Sequence, residues 1–269
     1  FFHFENYNPG VVYVEKFCQY LRQIQDKCAE KNIPFIYCIN PYKLSVYPEK
    51  APDGFHYRPA LLNDLYKYLD KYGVNYISTV ELLRDKAEQG QQVYNIKFDA
   101  GHWNDLGQFY ATNMLLEKVH EYFPSVAVNE FSDFEIKNVE KKYLYQSKFP
   151  INEVVPQFIN MKQNVEIITN QFEKVLINKR FPQFECYRLE ENRGIKPTVL
   201  FFHGSYYNRS EEFTKSSFYE LYTVHNYYNL FNIDYYLDQF NQDCVILESA
   251  EYANNNNYFP LDLIDKRLS

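Results

Sequence analysis

Two short stretches of this sequence hold the residue types of nucleophilic catalysis. In the first, Asp99 precedes His102 by three positions. In the second, Ser205 follows the apolar run Val199-Leu200-Phe201-Phe202 and a His203-Gly204 pair. A serine hydroxyl is a weak nucleophile until a base takes its proton, and an imidazole base needs a third group to fix its tautomer. Ser205, His102 and Asp99 are therefore candidates for nucleophile, general base and orienter. Alone, each stretch is a weak signal. Asp-x-x-His is short enough to arise by chance, and Gly-Ser after a strand is often a plain turn. Together in one α/β chain they carry more weight.

Such a site needs strands that end side by side. In open α/β sheets, sites lie at the carboxyl ends of the strands. A serine on a strand-to-helix turn exposes its hydroxyl, and N–H groups at the helix start can stabilise an oxyanion. The sequence supplies elements of this kind. Val14, Phe17, Cys18, Leu21, Ile24 and Cys28 recur at helical spacing, which predicts a helix over 11–31. After Pro34, Phe35–Ile39 reads as a buried parallel strand. A loop containing three prolines runs from Asn40 to about Arg58. Pro59 opens a second helix, with Leu61, Leu62, Leu65 and Leu69 on one face and Gly73 suited to its C′ position. Val74–Ile77 is the next strand, Thr79 caps a helix ending near Gly90, and Gln92–Ile96 is a further strand candidate. Asp105 with Gln108 resembles a capping box for a helix that runs until Pro124. This half reads α-β-α-β-α, the pattern of a parallel sheet covered by helices.

The middle, 125–195, is less regular and reads as an insertion or extra strands, although Asn164–Lys179 has helical periodicity through Ile167, Ile168, Phe172, Val175 and Leu176. Thr198–Phe202 is the strongest strand of the second half, with a helix expected from about Ser210. Cys244–Leu247 is another buried strand. The expectation is one domain over 1–269, a three-layer α/β/α arrangement around a mainly parallel sheet.

Composition narrows the function classes. With 28 Lys+Arg against 35 Asp+Glu the formal net charge is -7, and no basic run offers the field that nucleic-acid binding needs. The five Cys at 18, 28, 38, 186 and 244 form no CxxC pair, and no spaced cluster suggests a metal. Their odd number leaves at least one thiol free or paired between chains. Cys18, Cys38 and Cys244 lie in apolar patterns, where Cys packs as a small hydrophobe. That usage suits a reducing compartment, or a surface protein independent of disulfides. No apolar stretch of about 18 residues is present to span a membrane. The chain opens Phe1-Phe2-His3 without Met, as a processed or trimmed chain does, and a removed signal peptide or anchor would leave no trace.

Four blocks resemble one known family. Phe98–Gly107, FDAGHWNDLG, resembles the D-x-H-W-x-x-x-G block of the alginate O-acetyltransferase-like branch of the SGNH hydrolases, with one extra residue between Asp and His. Asn40–Glu49, NPYKLSVYPE, resembles that branch's P-x-K-x-x-x-Y-P-E segment. Val199–Asn208, VLFFHGSYYN, is similar to its nucleophile block, and Asp243–Glu251 to its late D-x-V-I-x-E strand. The blocks span about 33–252 in the branch's order, Asp and His before Ser, opposite to ordinary SGNH hydrolases. There are departures: His203 stands where the family has Gly, Gly204 where it often has an acidic residue or Thr, and Tyr252 where an Arg is often seen.

The resemblance implies an SGNH-type fold and a Ser205–His102–Asp99 triad that moves acetyl from a donor to Ser205 and then to a polysaccharide hydroxyl. It needs no cofactor. It implies an extracytoplasmic protein, membrane-associated through a segment outside this chain and working beside a membrane-bound acyltransferase partner. A carbohydrate O-acetyl esterase using the same triad and a non-catalytic polysaccharide-binding or assembly protein are the alternatives. Lys43 and Tyr47 match family positions near the cleft. Each neighbour of the triad also has a structural reading. Trp103 walls the site or anchors a helix. Lys43 holds an anionic group or is simply solvated. Tyr206 and Tyr207 shape an acceptor site or lie beneath it. Asn208 donates to an oxyanion or, more often for such a residue, caps a helix. His203 is a second pocket histidine or a structural one, and His56, His120 and His225 have no motif around them. The Ser205 N–H is the one oxyanion donor the sequence identifies. Aromatics make up 19% of the chain, and Tyr42, Tyr47, Trp103, Tyr206 and Tyr207 cluster at the candidate loops, a rim suited to sugar faces.

Overall fold

The computed structural model describes residues 9–51, 53–54, 59–162, 164–172, 174–208 and 211–269. His3, His56 and Ser210 lie outside these residues.

The first half follows its periodicity. Helix α1 (Val11–Glu30) buries Val14, Phe17, Cys18, Leu21, Ile24 and Cys28 on one stripe. Strand β1 (Phe35–Asn40) is buried throughout. A one-turn helix α2 (Lys43–Val46) follows, then α3 (Ala60–Tyr72), which ends at Gly73 with φ 62°, a left-handed residue that favours glycine. Strand β2 (Tyr76–Ser78), α4 (Val80–Glu88) and α5 (Asp105–His120) complete this half. Thr79 precedes α4 without capping it; its Oγ1 donates instead to Asn40 Oδ1 at 2.8 Å. The cap of α5 is Asn104, whose side chain accepts the Gly107 N–H at 3.0 Å. Asp105 falls inside the first turn and accepts the Phe158 N–H at 3.0 Å, so the expected Asp105–Gln108 box does not form: the cap sits one residue earlier, and Gly107 has no side chain to return a bond. Gln92–Ile96 contributes only an isolated bridge between Tyr94 and Trp103, since its neighbours are loops with no strand edge to offer.

The middle is strand-rich. An antiparallel hairpin, β3 (Phe134–Tyr143) and β4 (Pro150–Asn160), forms its own two-stranded sheet. It docks through a small aromatic core in which Phe134 and Phe158 meet Phe109 of α5 and Phe213 of a one-turn helix α6 (Glu211–Thr214). Ring centroids there lie 5.3–5.9 Å apart. Pairs of this kind contribute about 0.5–1.5 kcal/mol each beyond area burial.

The helix expected over 164–179 does not form. Glu166–Ile167 is a short strand, β5, paired with β6 (Phe184–Arg188), and Thr169–Gln171 is a 3-10 turn. Tertiary contacts override the periodicity. Phe172 packs edge-on against Tyr222 and Phe240, while Tyr235, Tyr236 and Asn229 take up the backbone groups of Leu176 and Asn178 that a helix would have paired internally.

Strands β7 (Val199–His203), β8 (Glu220–His225) and β9 (Cys244–Ala250) complete the main sheet, with α7 (Ile233–Gln239) and α8 (Leu261–Leu268) beside them. The order is β2-β1-β9-β7-β8-β6-β5. The first five strands run parallel, and β6 and β5 are antiparallel additions at one edge. Strands β1, β7, β8 and β9 have no exposed residue, which requires cover on both faces and matches the expected α/β/α layering. All five cysteines are buried free thiols. Among the described residues, no helix is long and apolar enough to cross a membrane.

Candidate active site

The carboxyl ends of β1, β7 and β9 meet, as the placement rule for open sheets requires. Strand β7 delivers the chain to Gly204, and Ser205 starts a 3-10 turn over Ser205–Tyr207. Gly204 has φ -94°, which any residue adopts. What marks the position is its surroundings, because a Cβ there would face Tyr227 Oη, Asn226 Nδ2 and Glu248 Oε2 at 3.4–3.6 Å. Its N–H donates to Glu248 Oε2 at 2.7 Å, and Asn40 Nδ2 donates to Glu248 Oε1 at 2.9 Å. The ends of three strands are thereby joined under the serine. Burial pushes the Glu248 carboxyl up to about 7, against the opposing pull of the Asn40 amide, the Gly204 N–H and the charge of His102.

The Asp-x-x-His stretch folds into a turn that pairs its own ends. Asp99 Oδ1 accepts the N–H of Gly101 at 2.9 Å and of His102 at 3.1 Å, which leaves Oδ2 facing His102 Nδ1 at 2.9 Å. His102 Nε2 then lies 2.9 Å from Ser205 Oγ. Burial would raise the Asp99 carboxyl. The hydrogen bond and charge of His102, with the two backbone N–H groups, outweigh it and hold the carboxyl below its usual range. Asp99, His102 and Ser205 therefore form one hydrogen-bonded chain.

The other sequence candidates divide. Tyr206 is buried and cross-links the two loops. Its hydroxyl donates to the Gly101 carbonyl at 2.6 Å, and its ring lies 5.3 Å from the His102 ring and 4.9 Å from that of Trp103. Trp103 answers by donating Nε1–H to the Tyr206 carbonyl at 2.9 Å. Its two readings both hold: it is buried, and it lines the cleft. Asn208 lines the same cleft, of about 220 Å³, with Lys141, Gln157, His102 and Ser205. Lys43 lines a neighbouring cavity of about 420 Å³ with Tyr42, Lys50 and Lys97. It is not a solvated loop lysine: Nζ donates to the Asp99 carbonyl, and burial lowers its pKa against the charges of Asp99 and Glu153. Tyr47 is not brought to either cavity. Its hydroxyl accepts the Val93 N–H at 3.0 Å and donates to the Gln91 carbonyl at 3.2 Å, so it fixes the loop before the Asp-His turn. Tyr207 is fully buried beneath the site. His203 is structural as well, because Nδ1–H donates to the Gly204 carbonyl and burial lowers its pKa, keeping the ring neutral. Among the described residues, no group of three or more His, Cys, Asp and Glu side chains converges as a metal site.

Three further side chains, outside the sequence candidates, stand at the candidate site. Tyr252 Oη lies 3.5 Å from Ser205 Oγ, and burial pushes its phenol well above the usual range, so the group is a hydroxyl donor. Its signal was present as the departure from Arg in the late strand block. Phe98 and Tyr145 stack edge-on, 5.7 Å apart, on the ridge shared by the two cavities. Tyr145 lies on the hairpin connection, in a segment without motif.

Neither a scan against protein-family models nor a search of curated proteins finds a match to the sequence. Solved structures do match the fold. Bacillus cereus PatB1 superposes with a TM-score of 0.69 at 14% identity, covering 92% of each chain. A DHHW family protein from Eubacterium siraeum gives 0.66 at 16% identity, over 94% of this chain and 88% of its own. The O-acetyltransferase domain of Pseudomonas putida AlgJ gives 0.62 at 15% identity, over 97% and 93%. The chain thus has the fold of the branch its sequence blocks resemble.

Proposed function

We propose that the chain is a serine-dependent O-acetyltransferase acting on a cell-surface or exported polysaccharide. The observation that carries this reading is the hydrogen-bonded chain from Asp99 Oδ2 through the His102 ring to Ser205 Oγ, with 2.9 Å at each link. The likeness in fold to the O-acetyltransferase domain of AlgJ supports acetyl as the group moved.

In this mechanism Ser205 Oγ attacks the carbonyl carbon of the acetyl donor, and its proton passes to His102 Nε2. Asp99 accepts the Nδ1–H and stabilises the imidazolium. The carbonyl oxygen becomes an oxyanion within reach of the Ser205 N–H and the Tyr252 hydroxyl. Collapse breaks the bond to the donor's leaving group, which takes the proton from His102. A sugar hydroxyl, deprotonated by the same imidazole, then attacks acetyl-Ser205, and the returning proton frees the serine. Trp103, Tyr206 and Asn208 offer the acceptor an aromatic and amide wall. A membrane-bound acyltransferase supplying the acetyl group and an extracytoplasmic location complete the proposal.

The test uses 4-nitrophenyl acetate with and without an oligosaccharide acceptor. Nitrophenol release that disappears in Ser205→Ala, with mass gain on the sugar, supports transfer. Release of free acetate alone points to an esterase. Equal rates for wild type and Ser205→Ala would sink the enzymatic reading and favour a binder.

A further inference from the structure

The hairpin carries a carboxylate where an outer ribbon would bury an apolar group. Glu153 of β4 is 7% exposed, on the same inward side as Val155. An unpartnered buried carboxylate is unfavourable, and here the partners are backbone. Oε1 accepts the Ile96 N–H at 2.5 Å and Gln92 Nε2 at 2.8 Å. Oε2 accepts the Lys97 N–H at 2.9 Å and the Phe98 N–H at 2.6 Å. Three successive backbone N–H groups thus converge on one side chain, the arrangement of an anion-binding nest. The residue that follows is Asp99. Two further bonds tie the same segment to the hairpin: the Tyr145 N–H donates to the Phe98 carbonyl at 2.7 Å, and Lys97 Nζ to the Asn152 carbonyl at 3.0 Å.

We propose that Glu153 is a positioning residue, which fixes the 96–98 backbone so that the Asp99 carboxylate meets His102 Nδ1, and which makes the β3–β4 hairpin part of the catalytic apparatus. This rests on the triad reading of Asp99, His102 and Ser205. Among the described residues, no β-sheet ladder holds the 96–98 segment, because Gln92–Ile96 has only the Tyr94–Trp103 bridge. Its three successive N–H groups are held by one side chain of the hairpin, 54 residues from the acid it aligns. Glu153 touches no reacting atom; the segment it holds leads directly into Asp99.

The experiment compares Glu153→Gln, Glu153→Asp, Gln92→Leu and Ser205→Ala in 4-nitrophenyl acetate turnover, in the rate of covalent inactivation by an arylsulfonyl fluoride, and in thermal midpoint. Glu153→Gln keeps the shape but turns an amide toward N–H donors. Misplacement of a catalytic group by about 1 Å costs about 10²-fold, so kcat should fall by that order with KM changed less than about twofold, and sulfonylation should slow in parallel. Glu153→Asp, which keeps the charge, should recover part of the loss. A kcat for Glu153→Gln within about twofold of wild type, or a loss confined to KM, overturns the proposal. If Glu153→Gln does not fold, Gln92→Leu is read the same way: a lower kcat at unchanged KM supports the proposal, and an unchanged kcat overturns it. Ser205→Ala separates the two levels. If it is inactive while Glu153→Gln is fully active, only this inference fails; if Ser205→Ala is itself active, the triad reading fails.

Discussion

Gly204 donates its N–H to the carboxylate of Glu248, so the residue before the candidate nucleophile hangs from the neighbouring strand. The bond joins β7 to β9 at the point where the sheet ends and the turn begins. Glu248 has no exposed surface, and its hydrogen bonds come from neutral donors, Gly204 and Asn40. That combination makes it a pH-sensitive part of the fold.

The sign follows from linkage. Burial raises the Glu248 carboxyl from 4.5 to about 7 in the folded protein. Between those values the folded state holds a proton that the unfolded state has lost. The stabilisation is fully present below about 4.5 and is lost as the pH rises through about 7. Glu248→Gln removes this titration. The thermal midpoint of the variant minus that of wild type should therefore increase between pH 5 and pH 8. Parallel midpoint–pH curves for the two proteins would refute it.

Tyr252→Phe should keep the fold and weaken the chemistry. The ring is retained, so the thermal midpoint should stay close to wild type. Loss of a hydroxyl aimed at the serine should lower kcat for acetyl-ester turnover by about 10²-fold, the usual scale for one oxyanion donor. A kcat equal to wild type would remove Tyr252 from the mechanism.

Gly107→Ala should damage both stability and site. A Cβ on Gly107 would lie 2.1 Å from the Val93 carbonyl oxygen and 3.1 Å from Trp103 Cβ. Neither neighbour is a flexible side-chain end, so α5 must move away from the loop that precedes the Asp-His turn. Overpacking of this kind costs about 1–3 kcal/mol, which lowers the midpoint by roughly 2–6 °C in a chain of this size. Thermal melts and ester turnover measured together check it; an unchanged midpoint would mean the helix start gives way freely.

Much of this was legible locally. The stripe of α1, the end of α3 at Gly73 and the apolar runs of β1, β7 and β9 follow from periodicity and turn chemistry. The Asp99–His102 pair was legible for the same reason: within a three-residue turn two N–H groups bind one oxygen of the aspartate and leave the other facing Nδ1. The final Gly of the FDAGHWNDLG stretch also has a local cause in the close approach of α5 to Val93. Segment 164–179 misled because Ile168 is buried and Phe172 partly buried as irregular chain, held by rings and hydroxyls from α7 and β8 that periodicity cannot register.

By itself the sequence determined which residues are able to react and which short turns present them. Only the tertiary structure decided who meets whom. His102 and Ser205 are 103 residues apart and come within 2.9 Å in a fold whose sheet order places β9 between β1 and β7. Tyr47 is turned away from the cleft, while Tyr252 is brought beside Ser205 and Glu153 onto the 96–98 backbone, through pairings fixed by strand order and hairpin docking. The physical reason is range. Turn geometry and amphipathic spacing act over a few residues, whereas a buried carboxylate or phenol finds its partner only after the core has closed around it.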